Sequence, residues 1–272
     1  HAWQGLGYYA RARNLHKCAV VISTAHNGHF PESEDELLKL PGIGPYTAAA
    51  IAAIAFDRKA TVVDGNVERV IARLYALEEP LPGARNRLRK LAARVTPDNR
   101  CGDYAQAVMD LGATICSPVN PTCTICPWMS TCAGHRAGLS SVLPNKSPKN
   151  KRPVRYGVAY WIVALDGSIF LRRRPDKGLL GGMIEIPSTQ WGPNVPTDAE
   201  VIAAAPVKAD WRPIEGSVHH TFTHFHLRLR IIVGHVAAKS VLNGIWCKPN
   251  LFGDFALPTL MKKVARLAND EH

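Results

Sequence analysis

The sequence lacks two features that would place a protein in a membrane or outside the cell. Its longest nearly apolar run, residues 47–56, is about half as long as a membrane-spanning helix must be. Residues 1–20 do not show the basic and then apolar order of a secretory signal peptide. We therefore expect neither membrane association nor secretion, and a cytoplasmic location.

Acidic residues are scarce in this chain. Its 272 residues contain 22 Asp and Glu against 33 Lys and Arg, which gives a net charge of +11, and none of residues 111–165 is acidic. Because neutralised phosphates release counterions, this excess suits a polyanionic partner. A solvated basic surface without such a partner is the alternative interpretation.

Cysteines are few and unevenly placed. Four of the seven fall within seventeen residues, separated by six, two and five residues: Cys116, Cys123, Cys126 and Cys132. This clustering, with an odd total, indicates metal ligands in a reducing compartment rather than a disulfide framework. Four thiolates so spaced can hold either a zinc ion or a 4Fe-4S cluster, and the spacing alone does not choose between them.

Hydrophobic periodicity divides the chain into two parts. Up to about residue 136 the apolar residues recur at helical spacing, with helices predicted at 33–40, 46–56, 67–74 and 104–115. From residue 154 the period becomes two, and Asp166-Gly167 predicts a hairpin turn between strands at 156–165 and 168–174. We predict an all-α domain over 1–136, a basic linker over 137–153 and an α+β domain over 154–272, with helices at 197–205 and 257–268.

A Leu-Pro-Gly-Ile-Gly motif at 40–44 lies between the first two predicted helices, the first of which opens on a Ser33–Glu36 capping box. Gly42 and Gly44, on either side of Ile43, carry no side chain, so backbone N–H groups near a helix N-terminus can approach a phosphate. The alternative is a glycine C-cap followed by an ordinary turn.

Asp64, followed by Gly65 and Asn66, precedes the amphipathic helix at 67–74. The simplest interpretation of Asp64 is a helix N-cap. The functional interpretation is a carboxylate that the helix dipole keeps ionised and that stabilises a cationic transition state.

Taken in order, these motifs resemble the helix-hairpin-helix, 4Fe-4S DNA glycosylases. The matching parts are residues 3–11 (Trp-Gln-Gly-Leu-Gly-Tyr-Tyr-Ala-Arg), 40–44, 63–67 (Val-Asp-Gly-Asn-Val) and the cysteine run. The resemblance implies an all-α helix-hairpin-helix glycosylase domain, N-terminally incomplete, whose four cysteines hold a 4Fe-4S cluster. It implies a MutT/Nudix-like α+β domain after the linker.

Within this family, endonuclease III-type enzymes carry a Lys in the hairpin helix, whose amine cuts the strand through a Schiff base. Tyr46 stands at that place, so the resemblance implies a monofunctional glycosylase that uses water. The run at 3–11 and the Asp64 motif are similar to those of MutY-type adenine glycosylases, which remove adenine opposite 8-oxoguanine or guanine. The implied roles are sugar-cation stabilisation by Asp64, lining of the site by Asn66 and Tyr46, a stacking wedge at Tyr8, and backbone binding by Gly42, Ile43 and Gly44.

The C-terminal domain supports the same branch of the family. Phe222-Thr223-His224 stands where these glycosylases use a Phe-Ser-His loop to recognise 8-oxoguanine, and Thr keeps the hydroxyl of Ser. The alternative is a strand with exposed polar residues. Nudix pyrophosphatase activity is disfavoured, because after Gly181-Gly182 the sequence offers only Glu185 and no acidic cluster to bind Mg²⁺.

The start of the sequence limits these expectations. His1 replaces an initiator methionine, and the apolar stretch at 2–9 predicts that the sequence begins inside a longer fold. The family's general-acid Glu lies upstream of the run at 3–11 and has no counterpart here, so we expect these residues alone to be impaired in excision. The alternatives are a non-catalytic protein that binds 8-oxoguanine DNA and, less favoured, a bifunctional glycosylase/lyase. The expected partner is duplex DNA with an A:8-oxoguanine or A:G mispair, bound by a monomer.

Overall fold

The fold is taken from a computed structural model that describes residues 2–148 and 151–270. The chain forms two compact units: residues 14–149 are one, and residues 1–13 with 150–272 are the other. The predicted boundaries at 136 and 153 stay a prediction, and residues 149 and 150 of the predicted linker lie outside the described residues, as do residues 1, 271 and 272.

Helices build the first unit. In the described part of the chain up to residue 148 they are α1 (Tyr9–Ala25, which continues from the other unit), α2 (Glu34–Leu37), α3 (Pro45–Phe56), α4 (Gly65–Leu74), α5 (Arg85–Val95), α6 (Cys101–Asp110) and α7 (Ala133–Arg136). One buried cluster joins α1, α2, α3 and α6, and a second packs α4 against α5 and α6. The hairpin motif lies between α2 and α3.

Local sequence rules account for several helix boundaries. The Ser33 side chain accepts a hydrogen bond from the backbone of Glu36 at the start of α2, as the capping box predicts. The predicted helix at 46–56 is confirmed as α3. The predicted helix at 104–115 is α6 followed by a wider π-helical turn, Leu111–Ile115, which leads directly to Cys116.

Part of the predicted linker is packed into the helical unit. The Leu143 side chain is buried, and Leu81 N donates to Asn145 O at 2.9 Å. Leu81 and Lys146 form a short parallel bridge. Residues up to at least Lys146 therefore contribute to the unit that holds the cysteines.

A mixed sheet forms the centre of the second unit. Its strands within residues 151–270 are β1 (Val154–Ala164), β2 (Ile169–Arg173), β3 (Ile184–Glu185), β4 (Arg212–Pro213), β5 (Val218–Thr221), β6 (His226–Val236) and β7 (Ile245–Cys247). The order is β3-β2-β1-β6-β4, with β5 paired to β6 and β7 to β2. The predicted hairpin at Asp166-Gly167 is confirmed, since β1 and β2 pair antiparallel there.

Both faces of this sheet carry helices. α9 (Thr259–Asp270) packs Leu260, Met261 and Val264 on one face, against alternate residues of β6. α8 (Asp198–Ala203) lies on the other face, where Val201 O accepts a hydrogen bond from Tyr160 Oη at 2.7 Å. On β6, His226, Arg228 and Arg230 are exposed.

The N-terminal segment is attached to this second unit by side-chain hydrogen bonds. Gln4 Nε2 donates to Phe255 O at 3.2 Å and to Leu257 O at 3.0 Å, and Arg13 Nη1 donates to Gly181 O at 2.5 Å.

No helix in the described part of the chain is long and apolar enough to cross a membrane.

Candidate functional site

The hairpin turn presents bare backbone at the start of α3. Gly44 is the N-cap of α3 and has no side-chain hydrogen bond to the helix, while Pro45 occupies the first turn. Gly42 has φ +77°, and a Cβ there would lie 2.5 Å from Asn14 Cβ. Glycine is therefore required at 42 for both conformation and space, and the amides near Gly44 have no capping side chain.

Asp64 is the N-cap of α4. Its Oδ1 accepts hydrogen bonds from the backbone of Asn66 and Val67, both at 2.8 Å, and its Oδ2 accepts one from Asn66 Nδ2 at 3.3 Å. Two predicted site residues, Asp64 and Asn66, are thus brought together. Capping fixes the carboxylate at the positive end of a helix, so the capping and functional interpretations are compatible.

Asn66 is held in turn by a buried cation. Arg69 Nη2 donates to Asn66 Oδ1 at 2.9 Å and to Gly112 O at 2.5 Å, and its Nε donates to Cys116 O at 2.7 Å. Burial lowers the pKa of Arg69, although neighbouring Cys116 and Asp64 favour its charged form. A chain of hydrogen bonds therefore runs from the first clustered cysteine to the Asp64 carboxylate.

Arg73, one helical turn further along α4, is 2% exposed and has no carboxylate partner among the described residues. Its guanidinium donates to Leu143 O and Ser117 O, both at 2.8 Å, and to Cys116 Sγ at 3.3 Å. The buried guanidinium therefore places a positive charge beside that sulfur. It offsets part of the negative charge that four thiolates would bring.

The four clustered cysteines line one cavity of about 30 Å³, together with Arg73 and Ser140. Burial raises the pKa of the Cys126 thiol, and the other three thiols add to the shift. Ser140 Oγ is buried and has no hydrogen-bond partner in the part of the chain that the structure describes. Within those residues no group of three His, Cys, Asp or Glu side chains is positioned to hold a metal ion.

The predicted recognition residues form the tip of the β5–β6 hairpin. Phe222 N donates to Phe225 O at 2.9 Å, which closes the turn. Phe222 stacks on Trp191, with ring centroids 5.7 Å apart, and contacts the buried Phe225. Thr223 and His224 are exposed, so the turn projects a hydroxyl and an imidazole while its aromatic rings anchor it.

Tyr8 lies in the same unit as this hairpin. It is 80% exposed and borders a cavity of about 620 Å³, which is also lined by residues 178–180, 220–225 and 258–260. Burial lowers the pKa of His220 in this cavity, and the charge of Lys263 adds to the shift. The cavity is large enough for a nucleobase, and Tyr8 is at its edge.

Glu185, the acid considered for Nudix chemistry, is buried on β3. Its carboxylate is bound by Arg172 Nε at 2.7 Å and by Arg174 Nη1. A carboxylate held by two guanidinium groups is fully engaged and does not serve as a Mg²⁺ ligand. Glu185 therefore has a structural role in this sheet.

Comparison with known proteins relates both units to described families. Residues 25–54 match the family model for the helix-hairpin-helix motif, and residues 158–267 match the model for the NUDIX domain. The adenine DNA glycosylases of Homo sapiens and Rattus norvegicus are 32% and 33% identical to the chain over 97% and 99% of its length. Over nearly its whole length the chain is similar to adenine DNA glycosylases.

The chain spans 59% and 63% of the length of these two adenine DNA glycosylases. The adenine DNA glycosylase of Buchnera aphidicola subsp. Schizaphis graminum is 27% identical, with 97% of this chain and 78% of the relative covered. Among solved structures, a non-covalent Endonuclease III–DNA complex is 29% identical with a TM-score of 0.42, covering 49% of this chain and 62% of that chain. The family resemblance and the two-domain fold class predicted from the sequence are confirmed.

Sequence reasoning missed three features: Arg69 and Arg73 in the helical unit, and the His220 side of the cavity of about 620 Å³ in the other unit. Charged residues on an amphipathic helix are ordinarily assigned to solvent. The available indication was spacing, since Arg69 and Arg73 are four residues apart on either side of the buried pair Val70 and Ile71. Neither carbonyl partners nor Ser140 can be predicted from residue type.

Proposed function

We propose that the protein is a monofunctional adenine DNA glycosylase of base-excision repair. It removes adenine paired with 8-oxoguanine or guanine by hydrolysing the N-glycosidic bond. The observation that carries the proposal is the Asp64 carboxylate, held at the start of α4 by two backbone amides and by Asn66. Relationship to the adenine DNA glycosylases supports it.

Asp64 stabilises the positive charge that develops on the sugar as the glycosidic bond breaks. Oδ1 is used in capping, so Oδ2 is the oxygen that faces the reaction, with Asn66 Nδ2 fixing its direction. Water attacks the sugar carbon and loses its proton, and the departing adenine takes a proton from a general acid. Asn66 and Tyr46 line the site around the sugar and the water.

DNA is held in two regions of the chain. Gly42, Ile43 and Gly44 bind phosphates through the amides at the start of α3, which have no capping side chain. Tyr8 enters the base stack as adenine leaves it, because a stacked base is inaccessible to chemistry. The exposure of Tyr8 beside a cavity of about 620 Å³ supports this role.

The hairpin tip recognises 8-oxoguanine. The Thr223 hydroxyl can donate and accept hydrogen bonds and the His224 imidazole can do either according to its tautomer, so together they suit the altered edge of the base. Phe222 is packed against Trp191, and its role is to position the tip. The expected partner is duplex DNA with an A:8-oxoguanine or A:G mispair, bound by a monomer in the bacterial cytoplasm.

The cysteine cavity suits a 4Fe-4S cluster. Four thiols line it, Arg73 donates to one of them, and the unpaired Ser140 hydroxyl faces the same space. The ligands would be Cys116, Cys123, Cys126 and Cys132. A bound cluster would cross-link the segment that carries these cysteines. Metal analysis of the purified protein, with visible absorbance, distinguishes iron and sulfide from zinc.

Adenine release from an A:8-oxoguanine duplex under single-turnover conditions tests the function, with binding measured on the same protein. We expect tighter binding to this duplex than to an A:T duplex, and release of adenine from the A:8-oxoguanine duplex. Thr223→Val, which removes the hydroxyl and keeps the branched shape, should reduce the preference for the lesion. Thr24→Val, at an exposed site on α1, is the matched control.

The outcomes separate the alternatives. Absence of both lesion preference and adenine release contradicts the proposal. Lesion preference without any release favours a non-catalytic lesion-binding protein. A species trapped by borohydride would indicate a lyase, which Tyr46 at the hairpin helix disfavours.

A further inference from the structure

One face of β6 carries a row of histidine and arginine side chains near the hairpin tip. His226, Arg228 and Arg230 are exposed, whereas the residues between them, Leu227 and Leu229, are buried under α9. Because side chains alternate along a strand, the three exposed residues share one face at intervals of roughly 6.8 Å. We call these three residues, together with His219, the β6 stripe.

Strand pairing defines what surrounds the β6 stripe. On β5, His219 is opposite Arg228 and Thr221 is opposite His226, so His219 extends the row sideways. On β1, Tyr156 is opposite Arg228 and adds a half-buried phenol. The cluster around α8 covers this face only further along β6, at Ile232 and Val236.

Carboxylates do not neutralise the β6 stripe. No ion pair within residues 2–148 and 151–270 includes His219, His226, Arg228 or Arg230. Arg230 Nη2 donates to Pro196 O at 3.2 Å, and Arg228 has no hydrogen-bond partner in the described part of the chain. Elsewhere in the same unit, Arg172 and Arg174 bind Glu185, and Arg212 binds Asp210.

We propose that the β6 stripe binds the phosphodiester backbone of duplex DNA beside the damaged base pair. This inference rests on the proposed function, because it places the stripe next to a lesion held by Thr223 and His224. The two surfaces are continuous: Thr221 Oγ1 and His226 Nδ1, at the base of the hairpin turn, are hydrogen-bonded at 3.0 Å.

Dimensions and chemistry both fit a DNA strand. From His226 to Arg230 the stripe spans about 14 Å, and one strand of duplex DNA carries a phosphate every roughly 3.4 Å of its axis. The stripe is therefore as long as about four consecutive phosphates. Guanidinium groups without carboxylate partners bind phosphate oxygens through two parallel hydrogen bonds, which favours arginine at such contacts.

The salt dependence of binding tests this proposal on the full chain. For the double variant Arg228→Gln and Arg230→Gln, we expect weaker binding to lesion and undamaged duplexes by the same factor. The slope of log K against log salt concentration should fall by about 2, since each lost phosphate contact removes about 0.9. The matched control, Arg212→Gln with Arg266→Gln, removes two exposed charges on the α9 side of the sheet.

A smaller slope in the stripe variant alone supports the proposal. An unchanged slope, or an equal change in the control variant, overturns it and leaves an acidic protein as the partner of this face. Lesion preference and adenine release report separately on the proposed function. If the wild-type chain shows neither of them, but its slope still depends on the stripe, the DNA-binding surface stands and the glycosylase assignment does not.

Discussion

Asp64 shows what a single side chain contributes to the helical unit, because its two carboxylate oxygens have different partners. Oδ1 accepts from two backbone amides of α4, and Oδ2 accepts from Asn66. The first arrangement stabilises a helix, and the second orients a negative charge. A substitution that preserves capping and removes charge can separate the two contributions.

Asp64→Asn is that substitution. Asn caps helices about as well as Asp, so the free energy of unfolding should change by less than about 0.5 kcal/mol, whereas Asp64→Ala should lose about 1 kcal/mol. Both variants lose the carboxylate, and adenine release should fall by about 10²- to 10³-fold. Urea unfolding and single-turnover release measure the two effects. Release by Asp64→Asn at the unsubstituted rate would remove Asp64 from the chemistry.

His220 should make the free energy of unfolding depend on pH. Burial, with the charge of Lys263, lowers its pKa in the fold, so the unfolded chain binds this proton more readily. The stability associated with neutral His220 is present above the unfolded pKa, about 6.5, and is lost as the pH falls below that value. His220→Gln should have a flatter stability profile between about pH 7.5 and 5.5 than the unsubstituted chain, measured by urea unfolding at each pH. Parallel profiles would show that His220 is not the titrating group.

At the scale of residues, the sequence predicts groups whose chemistry is local. The Asp64 cap follows from an Asp before an amphipathic helix, and the structure has it. Arg69 and Arg73 could not be assigned in this way, because all of their partners except the Asn66 side chain are backbone carbonyls or a thiol 40 or more residues away. Backbone carbonyls belong to every residue type, so the sequence contains no pattern for them.

Between elements, glycine sets how closely α7 approaches α4. A Cβ at Gly134 would lie 2.5 Å from Arg73 O, a backbone atom of α4 that cannot move aside as a flexible side chain can. Arg73 O also accepts from Cys132 Sγ at 3.4 Å. The contact therefore fixes the last cysteine of the run relative to the helix that begins at Asp64.

Gly134→Ala should destabilise the helical unit by about 1 to 3 kcal/mol, because the added methyl group overpacks the contact between α7 and α4. Lower metal content should accompany the loss. Gly65→Ala is the matched control, since a Cβ there has no atom within 4 Å, and we expect it to be neutral or slightly stabilising. Urea unfolding and metal analysis of both variants make the comparison. Equal free energies of unfolding and equal metal contents in the two variants would contradict the predicted overpacking.

Elements with strong local patterns could be predicted, and elements that depend on tertiary packing could not. The helix α3 and the hairpin of β1 and β2 follow from periodicity and turn residues. The helix α1 has only Cys18 and Ile22 buried, so it has no apolar stripe to detect. The π-helical turn Leu111–Ile115 connects α6 to Cys116. Gly112 in this turn has no side chain, which allows its backbone to lie against Asn66.

For the whole molecule, the division into two units predicts that metal loss acts on one of them. Cys116, Cys123, Cys126 and Cys132 all lie within residues 14–149. Removing the metal should increase hydrogen exchange in α4 and α7, because binding energy of a metal at four thiolates contributes to folding of the surrounding unit. Strands β1 and β6 should exchange at an unchanged rate. Hydrogen exchange measured by mass spectrometry on peptides from each unit, with and without metal, tests this prediction. An equal increase in exchange in both units would contradict it.

The hydrogen bonds of Gln4 have a consequence for the order in which the protein is made. Gln4 leaves the ribosome 251 residues before its partner Phe255. At about 5 to 20 residues per second, that interval lasts roughly 10 to 50 s. The whole helical unit is synthesised meanwhile, so it can fold before the partners of the N-terminal segment exist. A nascent chain of this protein therefore has a period in which the residues around Tyr8 are exposed to chaperones and proteases.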